Sequence, residues 1–267
     1  SENYVGGICG TNLSNNTIQN CYNAGTVTGP GVTGGIAGAN NGIVKGCCNE
    51  GTINSNGTGT QFGGVCGSNT GSIIDSYNTG EVYIPNNNNV GGVCGYNPGT
   101  ITNAYNFGVV TGQSNAGIMC GFVPAQGTFT NCYFLGTGGG IGNNLSSSTV
   151  TGKSAEAFAS GEVAYLLGAS FGQTLGTDSF PVFRASDDSN AVYKLIYLNG
   201  TAEHAVQYYN SGSLVSTAGV PVPTSDDGIF SEWAGIPATM PAADVTVTAV
   251  FSAPADIEIT GFDAIAD

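Results

Sequence analysis

The stretch FGGVCGSN, Phe62–Asn69, recurs along the first half of the chain, and this recurrence decides the fold. Near-copies are YVGGICGTN at Tyr4–Asn12 and VGGVCGYN at Val90–Asn97. The Gly-Gly pairs begin at residues 6, 34, 63 and 91, and a degenerate Ala-Gly copy begins at 116, so the steps are 28, 29, 28 and 25 residues. A catalytic site is normally built once, whereas repetition at a nearly fixed period indicates a repeat architecture.

Each repeat has the pattern of short strands separated by turns. A second element, of the type IIDSYNTG from Ile73 and ITNAYNFG from Ile101, follows each Gly-Gly element. Runs of four to six β-forming residues bounded by Gly and Asn are typical of strands and turns. One repeat cannot bury its own apolar face, but stacked repeats cover one another. The sequence therefore predicts a mainly β fold in which residues 1–152 form a parallel β-solenoid of about five coils.

Equivalent positions of the repeats form columns, which we expect to stack in the solenoid. One aliphatic ladder is predicted at Ile8, Ile36, Val65, Val93 and Ile118. A second is predicted at Ile18, Val44, Ile73, Ile101 and Phe129. Four asparagines stand two residues before a glycine, and because Asn and Gly tolerate left-handed backbone we expect corner turns there. These asparagines are Asn23, Asn49, Asn78 and Asn106.

Residues 4 to about 135 resemble the GLUG-type repeat of large bacterial surface and secreted proteins. The resemblance rests on the Gly-Gly-aliphatic-x-Gly-x-Asn element and on the Cys/Ser-Tyr-Asn-x-Gly element. The second repeat departs from this pattern, because Cys48 stands where other repeats have Tyr. The family implies extracellular adhesion or surface display, usually beside other modules, and it supplies no catalytic residues.

All eight cysteines lie in the predicted solenoid, in columns where Cys alternates with Ala and Ser; one predicted column contains Cys9, Ala37, Cys66, Cys94 and Cys120. A tight interior corner selects such small side chains of low polarity. Neighbouring coils place equivalent Cβ atoms about 4.8 Å apart, beyond the usual disulfide separation of about 3.8 Å. We therefore predict mostly free, buried thiols, with one or two disulfides as the alternative. No metal site is predicted, because the chain has no Cys-x-x-Cys pair and its single histidine, His204, is remote.

Residues 153–186 are predicted to form a capping segment. Ser154 is a candidate helix N-cap, and Phe158, Val163 and Leu167 follow at a spacing closer to helical. A solenoid with an uncovered last coil exposes strand edges and apolar ladders. We therefore expect this segment to cover the last coil.

Residues 187–253 are predicted to form a small β-grasp-like module. The run AVYKLIYLNG alternates with period two, and DVTVTAVF has the pattern of a last strand. The pattern is similar to the small β-grasp-like repeats of internalin-type surface proteins, notably at Phe230, Trp233 and the Thr-Met-Pro run from Thr239. We predict that Trp233, the only tryptophan, lies in the core, with a carbohydrate-stacking contact as the alternative. Residues 254–267 are interpreted as a linker or the start of a following module.

Charge excludes several classes of partner. Charged residues make up 8% of the chain and its net charge is −14, with only four acids and one lysine in residues 1–152. An acidic chain without a basic stripe repels phosphate, so we expect neither nucleic acid nor an anionic membrane surface as a partner. No apolar run reaches transmembrane length, and no signal peptide opens the chain. Because the chain begins inside a repeat, we expect it to be part of a longer protein.

The sequence favours a non-catalytic region of an extracellular bacterial surface protein. We expect a monomer that acts in adhesion or as a display stalk, with a glycan or protein of a host or neighbouring cell as its partner. Such a partner would bind along the polar Asn/Thr/Tyr face of the solenoid. The alternative is a carbohydrate-active enzyme or its accessory binding module, since parallel β-helices also host polysaccharide lyases and hydrolases.

Catalytic residues and cofactors are not predicted. A glycosidase needs two carboxylates about 5–9.5 Å apart across one bond, yet Glu50, Asp75 and Glu81 fall in different columns of the repeat. The acid pairs Asp187-Asp188 and Asp226-Asp227 are interpreted as solvated turn carboxylates, with weak Ca²⁺ binding left open.

Overall fold

The computed structural model describes residues 3–144, 149–226 and 228–253. The chain is mainly β, as predicted. It divides into two compact units, Ser1–Val192 and Tyr193–Asp267. The linker predicted at 254–267 lies outside the described residues.

Short strands make up the coils of the first unit. Coils 1 and 2 contain β1 (Tyr4–Gly6), β2 (Cys9–Asn12), β3 (Thr17–Gln19), β4 (Tyr22–Asn23), β5 (Val27–Gly29), β6 (Val32–Gly34), β7 (Ala37–Asn40), β8 (Ile43–Lys45), β9 (Cys48–Asn49) and β10 (Ile53–Ser55). Coils 3 to 5 contain β11 (Phe62–Gly63), β12 (Cys66–Asn69), β13 (Ser72–Asn78), β14 (Val82–Gly91), β15 (Cys94–Tyr96), β16 (Thr100–Asn106), β17 (Val110–Gly117), β18 (Cys120–Val123) and β19 (Thr128–Leu135). An incomplete further coil adds β20 (Ile141–Asn144) and β21 (Thr151–Lys153).

Three parallel sheets run along the stack of coils. The first has the order β1-β6-β11-β14-β10-β5, with β17 pairing β14. The second has the order β2-β7-β12-β15-β18-β20. The third has the order β21-β19-β16-β13-β8-β3, with β4 and β9 paired beside it. Because every strand pairs with the equivalent strand of the next coil, the prediction of a parallel β-solenoid of about five coils is confirmed.

The Gly-Gly pair forms a corner that has no room for a side chain. A Cβ on Gly63 would lie 2.1 Å from the carbonyl oxygen of Cys66. A Cβ on Gly64 would lie 2.2 Å from the Cγ of Asn78. Contacts this short do not occur in folded proteins, so both positions require glycine because of close approach. The recurring Gly-Gly therefore marks where the chain turns sharply from the first sheet into the second.

The predicted register of the fifth coil is wrong by one residue. Gly91 pairs with Gly117, and Cys94 pairs with Cys120, so the residue that continues the ladder of Val93 is Met119. Met119 is fully buried in the apolar core, whereas Ile118 is only partly buried and stands in the place of Gly92. The second ladder is confirmed, since Ile18, Val44, Ile73, Ile101 and Phe129 occupy consecutive paired positions.

The asparagines predicted at left-handed corners instead form a ladder of side-chain hydrogen bonds. The Nδ2 of each donates to the Oδ1 of the next, at 2.6 Å from Asn23 to Asn49, 2.7 Å from Asn49 to Asn78 and 2.8 Å from Asn78 to Asn106. The left-handed residues lie three positions earlier, at Asn20, Gly46, Asp75, Asn103 and Asn131. These asparagines do lie at corners, since each side chain also donates to the carbonyl of the glycine two residues later. Only the left-handed backbone was predicted at the wrong residues, because Asn is favoured both at left-handed corners and in stacked amide ladders.

A second asparagine ladder lies at the end of the second sheet. Its Nδ2-to-Oδ1 distances are 2.7 Å from Asn12 to Asn40, from Asn40 to Asn69 and from Asn69 to Asn97. These amides are buried, and a buried polar group is costly unless it is hydrogen-bonded. The ladders therefore tie each coil to the next and fix the register of the stack.

The cysteines lie at the positions expected of small core residues. All eight are free; Cys9 and Cys21 of coil 1 are partly exposed, and the other six are buried. The column containing Cys9, Ala37, Cys66, Cys94 and Cys120 is confirmed as consecutive paired positions. Burial raises the pKa of the Cys47 thiol to about 11 and that of Cys132 to about 12.

Thiol titration is expected to separate the two classes of cysteine. At pH 8 the native protein should react quickly at no more than two thiols, Cys9 and Cys21, because the other six thiols are buried and the reagent cannot reach them. In denaturant and without reductant, all eight thiols should react. A spectrophotometric thiol assay measures both numbers. Fewer than eight reactive thiols in the denatured protein would indicate disulfides. This result would contradict the interpretation of the cysteines as small, free core residues.

The segment after the solenoid, which was expected to cover the last coil, instead packs along the side of coils 3 to 5. It contains α1 (Ala155–Ala159), α2 (Glu162–Leu167), β22 (Phe171–Gly172) and β23 (Val182–Phe183). Ser154 is the N-cap of α1, as predicted, and its hydroxyl accepts a hydrogen bond from the Ala157 N–H at 3.2 Å. The segment shares a buried cluster with the outward tyrosines of three successive coils. That cluster includes Tyr77, Tyr105, Tyr133, Phe158, Val163, Leu167 and Phe171.

The second unit contains a four-stranded sheet. Its strands are β24 (Val192–Asn199), β25 (Ala202–Asn210), β26 (Ile229–Ala234) and β27 (Val245–Ser252), in the order β25-β24-β27-β26. The first and last strands are adjacent and parallel at the centre, as expected of a β-grasp-like sheet. The described part of this unit contains no helix. One face of the sheet carries the core, formed by Leu195, Tyr197, Trp233, Met240 and Val247.

Candidate functional site

A polar groove lies on the outer face of the first sheet. Thr28, Asn54, Tyr83 and Thr111 are paired across coils 1 to 4, so they form one row of side chains. Parallel strands set the spacing in this row at about 4.8 Å. The groove beside the row has a volume of about 660 Å³. Its lining residues are Thr28, Asn54, Ser55, Asn56, Gly57, Thr58, Tyr83, Pro85, Asn86 and Asn87.

One wall of the polar groove is a loop held by a buried amide. The side chain of Asn87 donates to the carbonyl of Gly57 at 3.0 Å and to that of Gly59 at 2.8 Å. Asn87 is buried, and the Gly59 N–H also donates to the Pro30 carbonyl at 2.9 Å. These bonds fix the 55–61 loop against the coils on either side. The wall is therefore formed before any ligand arrives, which lowers the entropic cost of binding.

The chemistry of the polar groove is neutral. Tyr83 is 50% exposed, and it stands beside amide and hydroxyl side chains from coils 1 to 3. None of the lining residues is Asp, Glu, Lys, Arg or His. An aromatic face offers an apolar surface with a polar tip, and amides both donate and accept hydrogen bonds. The groove is thus suited to a neutral ligand that is rich in hydroxyl groups.

Trp233, the predicted core residue and alternative ligand contact, lies within the second unit's core. It is 8% exposed, and its ring lies 5.0 Å from that of Tyr197, 5.2 Å from that of Phe230 and 5.6 Å from that of His204. With little of its ring at the surface, Trp233 offers no platform in this conformation. The core interpretation therefore agrees with its surroundings.

The carboxylates considered as catalytic or metal-binding groups do not share one site. Each is hydrogen-bonded or ion-paired with a different neighbour. Glu50 accepts a hydrogen bond from the Tyr22 hydroxyl at 2.7 Å, and the buried Asp75 accepts one from the Asn103 side chain at 3.0 Å. In the second half of the chain, Asp188 pairs with Arg184 at 2.7 Å. Hydrogen bonds to Ser189 lower the pKa of Asp187. Among the described residues, no three His, Cys, Asp or Glu side chains converge as a metal site would require.

The polar groove was not singled out from the sequence. A polar Asn/Thr/Tyr face was expected on the solenoid, but no residue of it was assigned to a site. A local signal exists in EVYIPNNNN, Glu81–Asn89, where a proline and four asparagines interrupt the repeat next to an outward tyrosine. Such an interruption in a repeat maps to a loop on one face, which is often the binding face.

Comparisons with known proteins give no identification. The sequence matches no protein-family model, and neither the curated proteins nor the solved structures give a match. In the described part of the chain, no helix has the length and apolar character needed to cross a membrane.

Proposed function

We propose that this chain is a non-catalytic binding region of an extracellular bacterial surface protein, and that it attaches to a neutral glycan through the polar groove. The observation that carries the proposal is the uncharged groove beside the exposed Tyr83, built on a rigid stack of coils. The resemblance of residues 4 to about 135 to GLUG-type repeats supports the surface location.

Sugar chemistry fits the residues that line the groove. A pyranose ring presents C–H groups on its faces and hydroxyls at its edge, so the face packs on an aromatic ring while the hydroxyls meet amides. Tyr83 supplies the ring, and Asn54, Asn56 and Asn86 supply the amides. Residues 1–152, which carry the groove, hold four acids and one lysine, and this excess of negative charge disfavours acidic polysaccharides. A neutral oligosaccharide is therefore the favoured ligand class.

Binding is favoured over hydrolysis because the groove lacks acid–base groups. Glycoside cleavage uses a pair of carboxylates, and the lining residues include none. Display is compatible with binding, since a solenoid held by continuous sheets and two amide ladders also acts as a stiff spacer. In that arrangement the groove would be held away from the cell that carries the protein.

A glycan array followed by calorimetric titration tests this proposal. Tyr83→Ala should weaken binding of the selected neutral glycan at least about tenfold, which corresponds to ~1.4 kcal/mol, because it removes the exposed ring. The matched control is Tyr22→Ala, which removes a similarly exposed tyrosine from the third sheet, away from the groove. Equal affinity of the two variants, or cleavage of the glycan by the wild-type chain, would contradict the proposal.

A further inference from the structure

Two neighbouring coils carry extra residues beside the polar groove. In coil 2, Phe62 follows Ser55 by seven residues, whereas their partners in coil 1, Gly29 and Thr33, are four residues apart. Coil 2 is therefore three residues longer than coil 1 at this place. The extra residues belong to the 55–61 loop, which forms one wall of the groove.

Coil 3 has a smaller insertion at the equivalent place. Asn88 follows Ile84 by four residues, whereas their partners in coil 4, Gly112 and Ser114, are two residues apart. A buried amide of this insertion, that of Asn87, donates to two carbonyls of the loop in coil 2. The two insertions are thus joined into one continuous wall.

The joined insertions, residues 55–61 and 85–88, form what we call the ridge, and the ridge runs along the stack of coils. It stands beside the row of outward side chains to which Tyr83 belongs. A chain molecule that crossed the strands would collide with the ridge, whereas one that followed the row would meet equivalent positions of successive coils. Because coils 1 and 4 lack the insertion, the ridge does not close the groove at either end.

A carboxylate lies on the opposite side of the row from the ridge. Glu81 precedes Tyr83 by two residues, and because side chains alternate along a strand, both project from the outer face of the sheet. Glu81 is exposed and does not line the polar groove. A ligand that crossed coil 3 would therefore pass over Glu81, whereas a ligand that followed the row would not.

We infer that the polar groove binds an internal stretch of an extended, β-linked neutral polysaccharide that lies along the stack of coils. This inference rests on the proposed function and specifies the linkage and the direction of the ligand. The side chains of the row repeat every 4.8 Å or so, about one strand spacing. An equatorially linked pyranose chain, such as that of cellulose, is a nearly straight ribbon that advances by a similar distance at each sugar. Successive sugars can therefore meet successive coils.

The shape of such a ribbon also fits the side chains of the groove. Both of its faces present C–H groups, so either face can pack on the exposed ring of Tyr83. Its edges carry the hydroxyls, which amides such as Asn54 and Asn86 can bind as donors and as acceptors. An α-linked glucan winds into a helix instead, so its successive sugars turn away from a straight row. The groove therefore favours the β-linked chain.

Cello-oligosaccharides and malto-oligosaccharides provide the decisive comparison, because they contain the same sugar in different linkages. Calorimetric titration of the full chain should show cellotetraose binding at least tenfold more tightly than maltotetraose. Affinity should also rise at least tenfold from cellobiose to cellotetraose, because the longer ligand reaches more coils. Equal affinity for cellotetraose and maltotetraose, or for cellobiose and cellotetraose, would overturn the inference.

Lightly substituted hydroxyethyl cellulose tests whether the groove accepts an internal stretch. Its long chains have few ends, so native affinity electrophoresis in this polymer should retard the protein, and free cellotetraose should reverse the retardation. A protein that binds cellotetraose but migrates normally in the polymer would show that the groove needs a chain end, which would overturn the inference.

Two matched substitutions on the outer face test the direction of the ligand. Thr111 continues the row one coil beyond the groove lining, so Thr111→Leu, which removes a hydroxyl and adds bulk, should weaken cellotetraose binding at least threefold. Glu81→Leu places the same side chain beside the row and should leave the affinity unchanged. Should Thr111→Leu fail to fold, Thr28→Leu at the exposed other end of the row takes its place. Weakening by Glu81→Leu alone would show that the ligand crosses the strands and would overturn the inference.

The outcomes separate this inference from the proposed function. Binding of maltotetraose as tight as that of cellotetraose, when Tyr83→Ala abolishes both, would leave the groove a glycan site and overturn only the linkage and direction. Failure of the protein to bind any neutral oligosaccharide would overturn both proposals.

Discussion

Trp233→Ala is expected to unfold residues 193–253 while the solenoid keeps its own melting transition. Trp233 is 8% exposed and packs with Tyr197, Met240 and Val247 in the second unit's core. Truncating a buried tryptophan to alanine typically costs about 3–5 kcal/mol. A domain of about 60 residues is marginally stable, so a loss of this size approaches its whole free energy of unfolding. Differential scanning calorimetry should show the loss of one transition and an unchanged second one.

Leu214→Ala is the matched control for Trp233→Ala. Leu214 belongs to the same unit but is 80% exposed, so its truncation removes little buried surface and should leave both transitions in place. A Trp233→Ala protein that melts like wild type would show that the ring contributes little to the core. A variant in which both transitions shift together would show that the two units do not unfold independently.

Gly91→Ala is expected to destabilise the solenoid by about 3 kcal/mol, at the upper end of the range for overpacking a core. An added Cβ would lie 2.0 Å from the carbonyl oxygen of Cys94, 2.7 Å from the Gly121 nitrogen and 2.8 Å from the Cys120 Cα. All three are backbone atoms, and two belong to the next coil, so no side-chain rotation relieves the clash. The coils must separate locally, which breaks sheet hydrogen bonds.

Urea unfolding followed by two optical probes measures this effect. Circular dichroism reports mainly the solenoid, whereas tryptophan fluorescence reports only the second unit, because Trp233 is the only tryptophan. Gly91→Ala should lower the dichroism midpoint and leave the fluorescence midpoint unchanged. Gly138→Ala is the control, since a Cβ there would meet nothing within 4 Å. Equal midpoints for the two variants would contradict the close-approach explanation of the Gly-Gly corner.

The sequence predicted those features that depend on the period of the repeat. The recurrence of Gly-Gly and of the aliphatic positions indicated the parallel stack, because only equivalent residues of successive coils meet in such a fold. The columns of Ile18 and of Cys9 were predicted correctly for the same reason. The alternation of Cys with Ala and Ser predicted small buried residues, and all eight cysteines are free.

The structure was needed to decide which of two neighbouring residues of similar chemistry occupies a given position in the stack. Ile118 and Met119 are both apolar, and the sequence alone assigned the wrong one to the ladder. In coil 4, Gly92 packs against Asn106, whereas in coil 5 the equivalent positions are Ile118 and Phe134. Coil 5 therefore lacks both the second glycine of the Gly-Gly pair and the asparagine that packs against it. Without these two residues, its sequence does not show which residue aligns with Gly92.

The roles of the asparagine columns also could not be assigned from residue type alone. Asn20 and Asn23 are the same residue type three positions apart, but Asn20 has left-handed backbone and Asn23 belongs to a hydrogen-bonded ladder. Residue type cannot separate these roles, because the ladder exists only when the next coil presents its own amide at hydrogen-bonding distance.

The candidate site also depends on the stacking of coils. The polar groove joins side chains of three coils that are about 28 residues apart in sequence. The period of the sequence therefore determined the solenoid, whereas only tertiary contacts decided where its surface departs from the repeat enough to hold a ligand.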